Sequence, residues 1–167
     1  TGARTASRDL SLFAMTLVQS LPEGPLDIVG DIHGEFEALV SLLGHLGYDS
    51  DGKHPAGRRV VFLGDFVDRG PDSIAVLELA RRWIRTGHAV AVLGNHEINL
   101  LREDAKDGSG WFFDERLEKD RKKYTFVRRP QPQERTWIVE FLSGLPVALE
   151  RDDLRVVHAV WKDTLID

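Results

Sequence analysis

Gly64-Asp65-Phe66-Val67-Asp68-Arg69-Gly70 decides the reading of this chain. An apolar run, Val60-Val61-Phe62-Leu63, leads into it, and a helical pattern opening at Pro71 follows, so it reads as a strand-to-helix loop. Two carboxylates three residues apart stand beside a guanidinium, framed by glycines that let the backbone turn. The same grammar recurs on either side. Leu26-Asp27-Ile28-Val29 leads into Gly30-Asp31-Ile32-His33-Gly34, and Ala89-Val90-Ala91-Val92-Leu93 leads into Gly94-Asn95-His96-Glu97. Three strands therefore each deliver Asp, His or Asn into a glycine-framed loop that opens toward a helix. An α/β sheet builds a site at the carboxyl ends of its strands in this way.

Between these loops the periodicities are plain. Phe36, Leu39, Val40, Leu42, Leu43 and Leu46 predict an amphipathic helix ending near Gly47. A second helix is expected from Pro71 to about Thr86, burying Ile74, Leu77, Leu79 and Trp83. A short helical stretch should run on through Asn99-Leu100-Leu101. After Arg102 the pattern weakens: Asp107-Gly108-Ser109-Gly110 reads as a flexible linker, and Trp111-Phe112-Phe113 as an aromatic cluster. The plain reading of those aromatics is a satellite core under a long loop, and the sharper one a substrate-facing wall. Thr136 to Leu145 reads as a helix. Val147–Glu150 and Leu154–Val157 flank Arg151-Asp152-Asp153 as a hairpin whose second strand ends at His158.

Before the first loop, Leu10, Phe13, Leu17 and Leu21 recur at helical spacing, so residues 1–25 are expected to form a helical extension to a domain over 26–167. The chain has 167 residues, 42% of them hydrophobic, enough for one domain with a real core. Lys and Arg total 22 against 27 Asp and Glu, a net charge of −5 that argues against general nucleic-acid binding. There is no cysteine, so disulfides and thiolate ligands are excluded and a reducing, cytoplasmic setting is expected. No apolar stretch approaches the ~20 residues of a membrane span.

The ordered set Gly-Asp-x-His-Gly, Gly-Asp-x-Val-Asp-Arg-Gly and Gly-Asn-His-Glu resembles the metallophosphoesterases (calcineurin-like), in particular the serine/threonine phosphoprotein phosphatase branch. The resemblance runs from about Leu26 to Trp161. It implies an α/β fold of mixed β-sheets layered with helices, with a two-metal site at the strand ends. Two cations ~3.5–4 Å apart can clamp a phosphate and activate the attacking water. By position, Asp31 and His33 would hold the first metal, Asp65 would bridge both, and Asn95 and His158 would serve the second. The Asp-x-His spacing suits extended chain, where residues i and i+2 point the same way. Oxygen and nitrogen donors without sulfur favour Mn, Fe or Zn over soft-site metals and do not choose among them; two divalent ions are expected, Mn foremost, with Fe or Zn open.

The resemblance further implies a catalytic pair, His96 and Asp68, in which the carboxylate favours the imidazolium and His96 protonates the leaving oxygen. Arg69 offers a fork to phosphate oxygens, with Asn95 and His96 also facing the phosphate. Glu97 reads as a helix N-terminal acid. His45, His54 and His88 lie outside every motif and read as surface or capping residues. The fourth motif is looser, because Val160 stands where a glycine is common. Members of the family also carry a further metal-binding histidine and a phosphate-binding arginine well beyond it. Only nine residues follow His158 here, so the second metal set is expected to be incomplete.

The resulting expectation is a metal-dependent phosphatase acting on phosphomonoesters of the phosphoserine or phosphothreonine type, its substrate a phosphorylated protein or small molecule. Two alternatives stand beside it: a dinucleoside-polyphosphate hydrolase or nucleic-acid end phosphatase using the same loops, and an inactive phosphatase-like binding module.

Overall fold

The computed structural model describes residues 17–162. Three parallel strands form the first sheet in the order β2 (Leu26–Val29), β3 (Arg59–Phe62), β4 (Ala89–Ala91). Ile28 pairs with Val61 and Val61 with Val90, so the three strands end level and their loops emerge at one edge. Helix α1 (Phe36–His45) connects the first two strands and α2 (Ser73–Arg85) the second two. The α2 start is set locally by Asp72, whose carboxylate accepts the Ala75 N–H at 2.9 Å.

The period of two along β3 separates the two cores. Val60 and Phe62 face the helices and join Leu39, Leu43, Ile74, Leu77 and Trp83. Val61 faces the other way and meets Leu21, Val92, Leu149 and Val156. That second face is covered by a mixed sheet in the order β1 (Val18–Ser20), β5 (Ala148–Arg151), β6 (Leu154–Val157), with β1–β5 parallel and β5–β6 antiparallel. The fold is therefore a two-sheet sandwich layered with helices on the outer face of the parallel sheet, in keeping with the mixed sheets that the resemblance implied. Among the described residues no helix is long and apolar enough to cross a membrane.

Three expectations change. The helical spacing through Leu21 does not hold at its end: Val18–Ser20 is a strand, because its backbone completes the ladder on β5. Leu10 and Phe13 lie outside the described residues. The supposed linker at 107–110 is packed rather than loose. Gly108, Ser109 and Gly110 are buried, and a 3₁₀ turn (Ser109–Trp111) runs into helix α4 (Asp114–Asp120). Buried Asp120 closes this segment, accepting N–H groups from Gly108 at 3.0 Å and Gly110 at 2.8 Å. Trp111 and Phe112 belong to the main core, not to a satellite. Helix α3 (Asn95–Leu101) packs on α5 (Pro132–Ser143), which starts at a proline and is capped by Glu134 on the Gln131 N–H.

Candidate metal centre

The three strand-end loops are tied to one another by main chain. Ile32 and His33 N–H both donate to Asp65 O, at 2.9 and 2.8 Å, and Gly70 N–H donates to His33 O at 2.8 Å. Gly64, at φ +86°, lies so close to Gly94 that an added Cβ would stand 2.2 Å from its nitrogen. Crowding of this kind holds side chains in unusual backbone. His33 (φ 46°), Asp65 (49°), Asp68 (73°) and Arg69 (68°) are all left-handed without being glycine. Such residues persist only where their surroundings over-determine them, and they cluster at functional sites.

The histidines divide by partner. His33 Nδ1 lies 2.9 Å from Val67 O, and His158 Nδ1 lies 2.7 Å from Leu63 O. A carbonyl can only accept, so each ring carries its proton on Nδ1 and presents the Nε2 lone pair, the arrangement that orients metal-binding histidines. Asp65 is 3% exposed; its Oδ1 accepts the His96 N–H at 3.0 Å. Its Oδ2 faces both imidazoles, 3.8 Å from His33 Nε2 and 3.4 Å from His158 Nε2. Asp31 Oδ2 is 3.9 Å from His33 Nε2, and Asn95 Oδ1 is 3.0 Å from His158 Nε2. Acceptors here face acceptors, which favours a cation among them.

Asp31, His33, Asp65, Asn95 and His158 thus converge on one spot, with the Asp65 carboxylate shared. The donors group slightly differently from the expectation: Asp31, Asp65 and His158 cluster on one side, and His33, Asp65 and His96 on the other. Asp31 therefore stands near His158 as well as His33. The residues fit divalent ions by donor chemistry, since carboxylate, amide and neutral imidazole are the groups such ions take.

His96 differs from the other two. Its Nδ1 meets a carboxylate, Asp68 Oδ2, at 2.7 Å, and both groups are buried. The Asp68 hydrogen bond raises the His96 pKa, opposed by burial and by Arg69 and aided by the charge of Asp65. Arg69 is exposed, and its Nη1 lies 3.1 Å from His33 Nε2, so the guanidinium borders the donor cluster.

Two contributors escaped the sequence reading. Glu97 is fully buried, and beyond standing at a helix N-terminus it takes N–H groups from Gly94, Asp65 and Phe66 at 2.9, 2.7 and 2.8 Å. Burial pushes its carboxyl up to about 7, the nearby Asp65 charge adding and the N–H donors opposing. Trp111 sends its indole N–H to Asp68 Oδ1 at 2.7 Å. The sequence showed Glu97 only as a helix N-terminal acid, and nothing in the 102–130 pattern joined Trp111 to Asp68. His54 is a capping residue as expected, its ring meeting Leu46 O and the Ala56 N–H.

The family profile described as calcineurin-like phosphoesterase matches residues 24–163. The chain belongs to that family. Among curated proteins it is 42% identical over 80 residues to a bis(5'-nucleosyl)-tetraphosphatase PrpE [asymmetrical] of Oceanobacillus iheyensis, covering 46% of this chain and 32% of that protein. It is 40% identical over 79 residues to the protein of the same description from Halalkalibacterium halodurans, with the same coverage. The chain thus spans about a third of the length of these curated relatives. A crystal structure provisionally assigned as a diadenosine tetraphosphatase aligns at 29% identity and TM-score 0.56, over 86% of this chain and 54% of that one. A cold-active protein tyrosine phosphatase, at 22% identity and TM-score 0.57 over 89% of this chain and 46% of that one, shares the fold. The family implies divalent metal ions. The expected serine/threonine phosphatase branch is not where these named relatives lie.

Proposed function

We propose that the protein is a metal-dependent phosphoesterase that hydrolyses dinucleoside polyphosphates. The phosphoesterase part is carried by Asp65, whose Oδ2 faces the Nε2 lone pairs of His33 and His158 at 3.8 and 3.4 Å. The substrate class is supported by the tetraphosphatase names of the relatives, which favour the dinucleoside alternative over phosphomonoesters. No observation favours a protein substrate.

In this reading Asp31, His33, Asp65, Asn95 and His158 hold two divalent ions. When bound, those ions would polarise the phosphate and activate water for attack. Arg69 supplies a charged fork to the phosphate oxygens from the open side of the cluster. His96, held by Asp68, directs its free Nε2 away from that carboxylate and gives a proton to the departing oxygen. Asn95 and His96 also contact the phosphate, being adjacent at the start of α3.

The deciding assay compares diadenosine tetraphosphate with a phosphoserine peptide, using full-length protein loaded with Mn²⁺, and separates products by ion-exchange chromatography. Faster release of adenosine triphosphate and monophosphate from the dinucleotide supports the reading. Faster release of phosphate from the peptide would return the assignment to the phosphoprotein class. Failure to hydrolyse either, or p-nitrophenyl phosphate, would leave a binding module instead.

A further inference from the structure

Asp68 is 2% exposed, and its two carboxylate oxygens have different partners. Oδ2 meets His96 Nδ1, and Oδ1 accepts the Trp111 indole N–H, each at 2.7 Å. A buried carboxylate keeps its charge only when its oxygens are hydrogen-bonded. The terminal torsion of an aspartate is soft, so one partner alone would leave the carboxylate plane free to turn. An indole N–H can only donate, and this one fixes which oxygen faces the imidazole.

Trp111 is itself held firmly. It is 2% exposed within the main core, against Phe112 at 5.3 Å between ring centres. Its 3₁₀ turn is closed by Asp120, whose Oδ2 takes the Gly108 and Gly110 N–H groups and whose Oδ1 meets Arg116 at 2.7 Å. The same segment supports the next residue of the loop: Arg69 N–H donates to Gly108 O at 3.1 Å. Gly108 (φ +91°) comes so near that a Cβ there would lie 2.7 Å from Arg69 Cγ. The two consecutive left-handed residues, Asp68 and Arg69, thus rest on one platform built from residues 108–120.

We propose that Trp111 is a positioning residue for the Asp68–His96 pair, its indole N–H holding Asp68 Oδ1 so that Oδ2 orients His96 toward the leaving oxygen. The proposal rests on the reading of His96 as proton donor, and the test keeps the two apart. Trp111→Phe keeps an aromatic ring in the core and removes the N–H. In metal-loaded full-length protein, kcat and KM are measured for phenyl phosphate, a poor leaving group, and p-nitrophenyl phosphate, a good one, with His96→Ala in parallel.

The Trp111→Phe variant should lose about tenfold or more in kcat on phenyl phosphate, the order expected for one hydrogen bond to a charged group. The loss should be smaller on p-nitrophenyl phosphate, with KM and metal content unchanged. Equal losses on both substrates, with His96→Ala still selective for the poor leaving group, would overturn the proposal and leave Trp111 a packing residue. An unselective His96→Ala would overturn the proton-donor reading instead. Trp111 is then judged, as it is if Trp111→Phe fails to fold, by the indole N–H resonances of the wild-type protein. One of the four tryptophans should show an indole N–H shifted downfield and slow to exchange with solvent, and that shift should be lost in Asp68→Ala, which leaves no acceptor. Its absence overturns the hydrogen bond on which the proposal stands.

Discussion

Glu97 Oε2 accepts the Asp65 N–H at 2.7 Å and the Gly94 N–H at 2.9 Å, so one carboxylate oxygen joins two of the three strand-end loops. Oε1 takes the Phe66 N–H at 2.8 Å. The carboxylate is fully buried and can only accept, which matches four converging donors, the Val67 N–H also reaching Oε1 at 3.3 Å. Glu97→Gln turns one acceptor into a donor aimed at an N–H. The variant should lose about 1–3 kcal/mol of stability, the usual result of orphaning a buried donor, and bind metal more weakly because Asp65 loses its anchor. Urea unfolding and metal titration read the two effects. Unchanged values in both would show that the loop is held without Glu97.

Asp65→Asn should reduce metal content more than any other single ligand change. Its Oδ2 faces the imidazoles of both His33 and His158, and Asp65 alone belongs to both donor groups. The Oδ1 bond to the His96 N–H can survive in the amide, so the fold should persist. Elemental analysis showing two full equivalents of metal in this variant would remove Asp65 from the bridging role.

Gly30 and Gly64 precede the motif aspartates identically, and a sequence reader treats them alike. Their surroundings differ. An added Cβ at Gly30 meets nothing within 4 Å, whereas at Gly64 it would fall 2.2 Å from Gly94 N and 2.6 Å from its Cα. Main chain cannot step aside as a flexible side chain would, and φ is +86° besides. Gly30→Ala should change stability by no more than about 0.5 kcal/mol. Gly64→Ala should cost about 3 kcal/mol or more, or prevent folding. Thermal unfolding of the pair checks both, and similar melting points would contradict the close approach.

The strands, the helices α1 and α2 and the five donors were legible because each signal is local. Ile74, Leu77, Leu79 and Trp83 repeat at helical spacing and are all buried; Asp31, His33, Asp65 and Asn95 follow apolar runs and meet because β2, β3 and β4 end level, while His158 ends β6 of the second sheet and is held to them by Leu63 O. What stayed hidden depends on distant partners. Val18–Ser20 is a strand only because β5, some 130 residues later, completes its ladder. Trp111 reaches Asp68 across 43 residues, and Glu97 reaches Asp65 N–H across 32. Gly108-Ser109-Gly110 has linker composition, yet its donors are taken by Asp120 and its surface by Arg69. Substrate class was not legible at all, since none of the loops reads the leaving group.

The segment beside Arg69 should respond to acid in a definite window. Asp107 accepts from Lys123 Nζ at 2.9 Å, from the Tyr124 hydroxyl at 2.7 Å and from Arg116 at 3.0 Å. The Lys123 hydrogen bond first, then that of Tyr124, lowers its carboxyl from 3.8 to about 2. A carboxyl lowered on folding contributes stability above its unfolded value, and that contribution fades as pH falls toward the folded one. Asp107 is 44% exposed, so screening limits the effect to no more than about 1 kcal/mol. Wild type should therefore exceed Asp107→Asn in stability at pH 5 to 7, and the gap should close between about pH 4 and pH 2. Other acids lowered by ion pairs, such as Asp114 and Glu134, titrate in both proteins and cancel in the comparison. Urea unfolding of the two proteins at each pH provides the readout. A gap that stays constant down to pH 2 would mean that the Asp107 cluster does not hold the α4 segment through its charge.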